Sequence, residues 1–124
     1  MGGVDHVQPG LATFVLTDDR VTFSAIADLQ HVHPLVLQLM WQAAGSRMSV
    51  VSDQVGNDGV LNEGSSPRLR GAVTGLDTSV RNLVQRCAVP LVDALSMVSE
   101  RPARFLGLND RGMLRAGKIG RAHV

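Results

Sequence analysis

Apolar residues fall in short runs broken by polar and glycine-rich stretches. Residues 12–16 and 21–27 are rich in Val, Phe, Thr and Ile, side chains that suit a pleated strand, and Asp18-Asp19-Arg20 between them reads as a turn. Two short extended segments are expected. The second runs into the polar stretch Asp28-Leu29-Gln30-His31. Pro34 then fits the first turn of a helix, where its missing N–H costs nothing, and Leu35, Leu37, Leu39, Met40, Trp41 and Ala44 continue it to a stop at Gly45. Apolar residues all round predict a well-covered helix.

Residues 47–52 form a brief β-type run ending at Asp53. The stretch to residue 66 holds Gly56, Asn57, Asp58, Gly59, Gly64 and two serines, the composition of a long irregular loop. Asp77 is placed to cap a helix through Cys87, with Leu76, Val80, Leu83 and Val84 on one face. Pro90 opens another, to Ser99. Strands alternating with helices predict a parallel α/β arrangement, in which chemistry gathers at the carboxyl ends of the strands.

Composition narrows the function classes. The 124 residues are 44% hydrophobic and 19% charged, the balance of a core former and not of a disordered tail. A formal charge of +1, with both signs interspersed, offers no field for nucleic acid. No run approaches the roughly 18 apolar residues of a membrane span. The single Cys87 cannot form an internal disulfide and no leader precedes the first segment, so a cytoplasmic setting is expected. Cys87 itself reads as a small packing residue.

Few residues offer chemistry. His31 and His33 sit at i and i+2, which would share a side on an extended strand, but Pro34 draws His33 towards the helix entry. One imidazole facing a pocket and the other capping or solvated is the plainer expectation. Asp53 follows a buried strand and precedes a loop, the position of a general base and equally of a loop cap. Gly71 and Gly75 fit neither a dinucleotide fingerprint nor a phosphate loop and suggest a turn. Met40, Trp41, Met48 and Met97 read as packing residues.

In combination these segments resemble the N-acetylglucosamine-6-phosphate deacetylases of the amidohydrolase superfamily, over nearly the whole of residues 1–118. Ile26-Ala27-Asp28-Leu29-Gln30-His31-Val32-His33-Pro34 is similar to that family's Ala-Asp-Gly-x-His-x-His-Pro, and Val50-Val51-Ser52-Asp53 to its Val-Thr-Asp. Leu76-Asp77-Thr78-Ser79-Val80-Arg81-Asn82-Leu83-Val84 resembles its Met-Asp-x-Ala-Val-Arg-Asn-Leu-Val helix, and Pro102-Ala103-Arg104-Phe105-Leu106-Gly107 its Pro-Ala-Arg-x-Leu-Gly.

The resemblance implies part of a (β/α)8 barrel, the last two strands with their following helices, from a metal-dependent amide hydrolase of amino-sugar catabolism. A whole barrel takes about 250 residues, so the segment alone is expected to be incomplete and inactive. Asp53 is implied as the acid/base that takes a proton from metal-bound water and returns it to the leaving amine. Asp28, Leu29, Gln30 and His31 would line the sugar site, with His31 bonding the substrate, and Leu69, Arg70 and Gly71 would offer backbone contacts. The divalent cation, zinc or similar, is implied for the complete enzyme, with ligands on strands this segment does not carry. An amino-sugar phosphate is the implied partner, and a homo-oligomer the implied assembly.

Departures from the family pattern bear on these roles. Val7 stands where the resemblance expects the Arg that binds the sugar phosphate, and an apolar side chain cannot replace a bidentate guanidinium. Leu29 replaces a Gly beside the sugar, Gln54 an Ala, and Ala72 a Ser, while the segment between Asp53 and Leu69 is shorter than the family's hairpin region. Residues 119–124 match no family strand and read as one frame of a sequencing adapter, so a non-native tail is expected there. Two other readings remain: a non-catalytic half-barrel that binds or assembles through open strand edges, and an amidohydrolase with a different substrate.

Overall fold

The computed structural model describes residues 7–54, 60–63, 66–69, 71–72 and 74–120. Its centre is a strand–helix–strand unit. β1 (Phe23–Ile26) leads through α2 (Pro34–Ala44) and a short 3-10 turn (Gly45–Arg47) to β2 (Met48–Val51), which follows α1 (Leu11–Thr17) and the first strand in chain order. β1 and β2 pair in parallel with Phe23 opposite Met48 and Ile26 opposite Val51. Parallel pairing needs a crossover, and α2 supplies it.

Alternation along the two strands separates their faces. Ala25, Met48 and Val50 are buried, while Ser24 and Val51 on the opposite face are exposed. Against the buried face pack α2, α3 (Leu76–Arg86) and α4 (Leu91–Val98), which all touch β2. Leu37, Leu83, Cys87, Val89, Ala94 and Met97 complete one core with the strand residues. Burying a Leu or Met of this kind contributes about 2–3 kcal/mol.

The expected helix at Pro34 is present, and His33 caps it: its Nδ1 accepts the Leu35 N–H at 3.3 Å. Gly45 follows because a Cβ there would collide with the Trp41 ring.

Three expectations are corrected. Residues 12–16, read as extended, lie in helix α1. Thr17 Oγ1 bonds back to the Thr13 carbonyl at 2.9 Å, and the Arg47 guanidinium donates to the carbonyls of Val15 and Leu16 at 2.9 and 2.8 Å, satisfying groups that a helix end leaves open. Tertiary contact outweighs β propensity there. The stretch expected to be an irregular loop holds a hairpin, β3 (Val60–Glu63) antiparallel to β4 (Ser66–Leu69), with Val60 opposite Leu69. Backbone pairing absorbs the polar composition, and Pro67 is tolerated because a two-stranded ribbon is all edge.

Helix α3 is capped by Gly75, with no side-chain cap bond, and Asp77 lies in its first turn, where a carboxylate still favours the positive helix end. The helix expected from Pro90 ends at Val98, and α5 (Glu100–Phe105) continues separately.

Arg101 of α5 binds the assembly together. Its guanidinium donates to the Gly45 carbonyl, to Met48 O at 3.2 Å and to Asp93 Oδ1 at 3.0 Å, and it lies 5.8 Å from the Trp41 ring centroid. One side chain thus joins α5 to α2, β2 and α4.

Candidate functional site at the carboxyl ends of the parallel strands

Because β1 and β2 run in parallel and in step, they leave the sheet at the same end. Asp28 and Asp53 each stand two residues beyond the last pair, Ile26 and Val51. Sequence positions 25 residues apart are therefore brought to one edge of the fold, where α/β proteins build their sites.

The turn after β1 is organised by Asp28. Its Oδ1 accepts the backbone N–H groups of Gln30 and His31, both at 2.9 Å, and its Oδ2 lies 2.7 Å from His31 Nδ1. Burial opposes ionisation of the Asp28 carboxyl, but the His31 and Gln30 N–H groups and the His31 ring together hold it below the usual carboxylate range. Its side chain is 1% accessible and that of His31 18%. Between them Leu29 adopts φ +67°, a left-handed conformation that costs a branched side chain about 1–2 kcal/mol. The strand end below is held by α3, whose Asn82 Nδ2 donates to the Ala27 carbonyl at 2.9 Å.

Asp53 follows β2 with φ +45° and an exposed side chain. Its carbonyl accepts the Ala72 N–H at 3.0 Å, and Gln54 bridges Ala72 in parallel. This fixes the chain after β4 beside Asp53. Leu69 ends β4, Gly71 is buried next to the bridge, and Arg70 lies outside the described residues. Two non-glycine residues at positive φ, one beyond each strand, is the clustering of strain that accompanies functional sites.

The residues do not compose a metal centre of their own. His31 Nδ1 is engaged by Asp28 and His33 Nδ1 by the α2 backbone, so neither Nδ1 is left for an ion. Among the described residues no three His, Cys, Asp or Glu side chains are grouped to hold an ion. Cys87 is fully buried, and burial pushes its thiol upward against the weaker pull of Arg86, which leaves it inert. Val7, at the expected phosphate position, is 71% exposed ahead of α1.

Two surface grooves lie elsewhere. One runs between α4, α5 and the following residues, including Leu95, Ala103, Leu106 and Leu114, and the other places Phe105 near Phe23 and Val51. Both are mainly apolar and neither includes Asp28, His31 or Asp53. They lack the convergent polar groups that chemistry needs. Sequence reasoning named Asp53 and residues 28–31 but gave no role to Asn82, although it lies in the helix motif that carried the resemblance. Arg101 carried no local signal, since its carbonyl partners are more than fifty residues away.

The parallel strand–helix–strand unit, with Asp28 and Asp53 beyond its strand ends, defines an α/β protein. The chain aligns at 33% identity with an Escherichia coli K12 protein provisionally named N-acetylgalactosamine-6-phosphate deacetylase, covering 95% of this chain and 81% of that one. It therefore belongs to the family of N-acetylglucosamine- and N-acetylgalactosamine-6-phosphate deacetylases. It is 33% identical to the N-acetylgalactosamine-6-phosphate deacetylase of Escherichia coli O157:H7 and 29% to the N-acetylglucosamine-6-phosphate deacetylase of Vibrio furnissii, spanning 36% and 34% of their lengths.

Among solved structures, N-acetylglucosamine-6-phosphate deacetylase from Pasteurella multocida superposes with a TM-score of 0.82 at 24% identity, over 94% of this chain and 36% of that one. A mutant of the Mycobacterium smegmatis enzyme, in complex with N-acetyl-D-glucosamine-6-phosphate, gives 0.74 at 26% identity, over 95% and 37%. No protein-family profile matches the chain.

Proposed function

We propose that this chain carries the acid/base and sugar-facing part of a deacetylase acting on a 2-acetamido sugar 6-phosphate. The observation that carries the reading is the joint placement of Asp53 and the Asp28–His31 turn at one end of a parallel pair, in a member of this family. Amide hydrolysis needs a group that first removes a proton from the attacking water and then gives one to the departing nitrogen. Asp53, exposed beyond β2, is positioned for both steps: water oxygen bonds to the acetyl carbon, the C–N bond breaks, and the amine leaves with the proton Asp53 returns.

His31 meets the sugar from the neighbouring strand end, and Leu69 and Gly71 offer it backbone contacts. Val7 does not supply a cation for the phosphate, so the 6-phosphate is held less tightly here or by other groups. A divalent cation supplies carbonyl polarisation and an acidified water in amide hydrolases of this kind. The described residues do not fit one, and its donors lie outside them.

The same reading assigns residues 1–118 to a partial (β/α)8 barrel, with 119–124 as a tail foreign to it, in a cytoplasmic homo-oligomer. What supports the barrel is that Ser24 and Val51 stay exposed on the second face of the β1–β2 pair, since parallel sheets are covered on both faces.

The test is a chimera in which residues 1–118 replace the matching third of the Escherichia coli O157:H7 relative, assayed for acetate release from both N-acetylglucosamine and N-acetylgalactosamine 6-phosphate. Activity is expected, and Asp53→Asn should lower turnover by about 10²–10⁴-fold. A folded chimera in which Asp53→Asn keeps full turnover sinks the assignment.

A further inference from the structure

We propose that Asp28 is a positioning residue that never touches the sugar: it fixes His31 in the tautomer protonated at Nδ1 and so presents Nε2 to the substrate as a hydrogen-bond acceptor. The inference rests on the reading that His31 faces the sugar, and it replaces the direct contact that the resemblance implies for Asp28.

Three observations carry it. The Asp28 carboxylate is fully used inside its own turn, with Oδ1 accepting two backbone N–H groups and Oδ2 facing the His31 ring at 2.7 Å. At 1% accessibility it has no surface to offer a ligand, whereas the His31 side chain keeps 18%. An ionised carboxylate is acceptor-only, so the ring nitrogen opposite it must carry the hydrogen. The conditions that keep Asp28 ionised are the same N–H groups that shape the turn.

The chemistry follows from tautomer control. A neutral imidazole has one donor and one acceptor nitrogen, and fixing Nδ1 as donor leaves Nε2 as the acceptor. Such an acceptor suits a sugar hydroxyl or the N–H of an acetamido group. Asn82 is the second support, since its bond to the Ala27 carbonyl fixes the residue from which the turn springs.

The experiment uses ¹⁵N-labelled full chain and long-range ¹H–¹⁵N correlation of the histidine rings, recorded on the alkaline side of the imidazole titration, with His31→Gln for assignment. Wild-type His31 is expected to show a pyrrole-type Nδ1 and a pyridine-type Nε2. In Asp28→Asn the side-chain oxygen keeps the two backbone N–H groups, and the amide NH₂ now faces the ring, so the pattern should invert while the backbone spectrum outside residues 27–32 stays in place. Loss of fold would leave that variant silent, and the wild-type pattern then decides alone. A wild-type ring protonated at Nε2, or an Asp28→Asn ring unchanged from wild type, overturns the proposal.

Titration of the chimera described above with N-acetylglucosamine 6-phosphate separates the two layers. A shift of the His31 Nε2 resonance supports both. A pyrrole-type Nδ1 with no response of Nε2 to the sugar phosphate overturns the substrate reading and leaves the tautomer assignment standing.

Discussion

At the scale of single residues, the turn after β1 exchanges strain for hydrogen bonds. Leu29 occupies a left-handed conformation that the resemblance fills with Gly, and Asp28 holds the turn closed around it. Replacing Asp28 by Ala leaves the part-buried Gln30 and His31 N–H groups without that acceptor and should cost about 1–2 kcal/mol, read from urea unfolding. The sign of its pH dependence is fixed. Asp28 is held below its ordinary value of 3.8, so its contribution is full above the unfolded-state pKa, about 4, and is lost as pH falls through the lower folded value. Acid unfolding of Asp28→Asn should accordingly be shallower than that of wild type below pH about 4. Ala88, at φ +54° and exposed between α3 and α4, offers the opposite case. Ala88→Gly should raise stability by about 0.5–1 kcal/mol, and a lower melting temperature would refute the strain argument.

Among elements, what was legible in the chain is what local pattern determines. Pro34 and the apolar run behind it marked α2, the β-branched run before Asp53 marked β2, and alternation marked a parallel pair. The misread elements depend on distant partners. α1 looked like a strand because Thr13, Phe14 and Val15 favour one, while the Arg47 side chain, about thirty residues on, helps to close its carboxyl end. Arg47→Met should therefore speed amide exchange in residues 14–18 and spare α3, whereas uniform acceleration would point to global destabilisation. The hairpin was hidden because its pairing is made by backbone, which composition does not report. Of the candidate site, the strand-end Asp53 and the His31 turn could be named from the resemblance, but the inward commitment of Asp28 required coordinates.

For the whole molecule, the exposed Val51 on the bare sheet face and the apolar grooves beside α5 leave more hydrophobic surface than one small domain carries comfortably. Concentration-dependent association is expected in analytical ultracentrifugation, weakened by Val51→Lys with a stability change within about 0.5 kcal/mol. A monomer at every concentration would mean that the bare face tolerates water. The stacking of Arg101 over Trp41 has one more consequence. Trp41 is the sole tryptophan, and it sits where α5 meets α2. The chain therefore carries its own fluorophore beside the Arg101 contact of α5, and its emission colour and lifetime would report the docking of the last helix without any label.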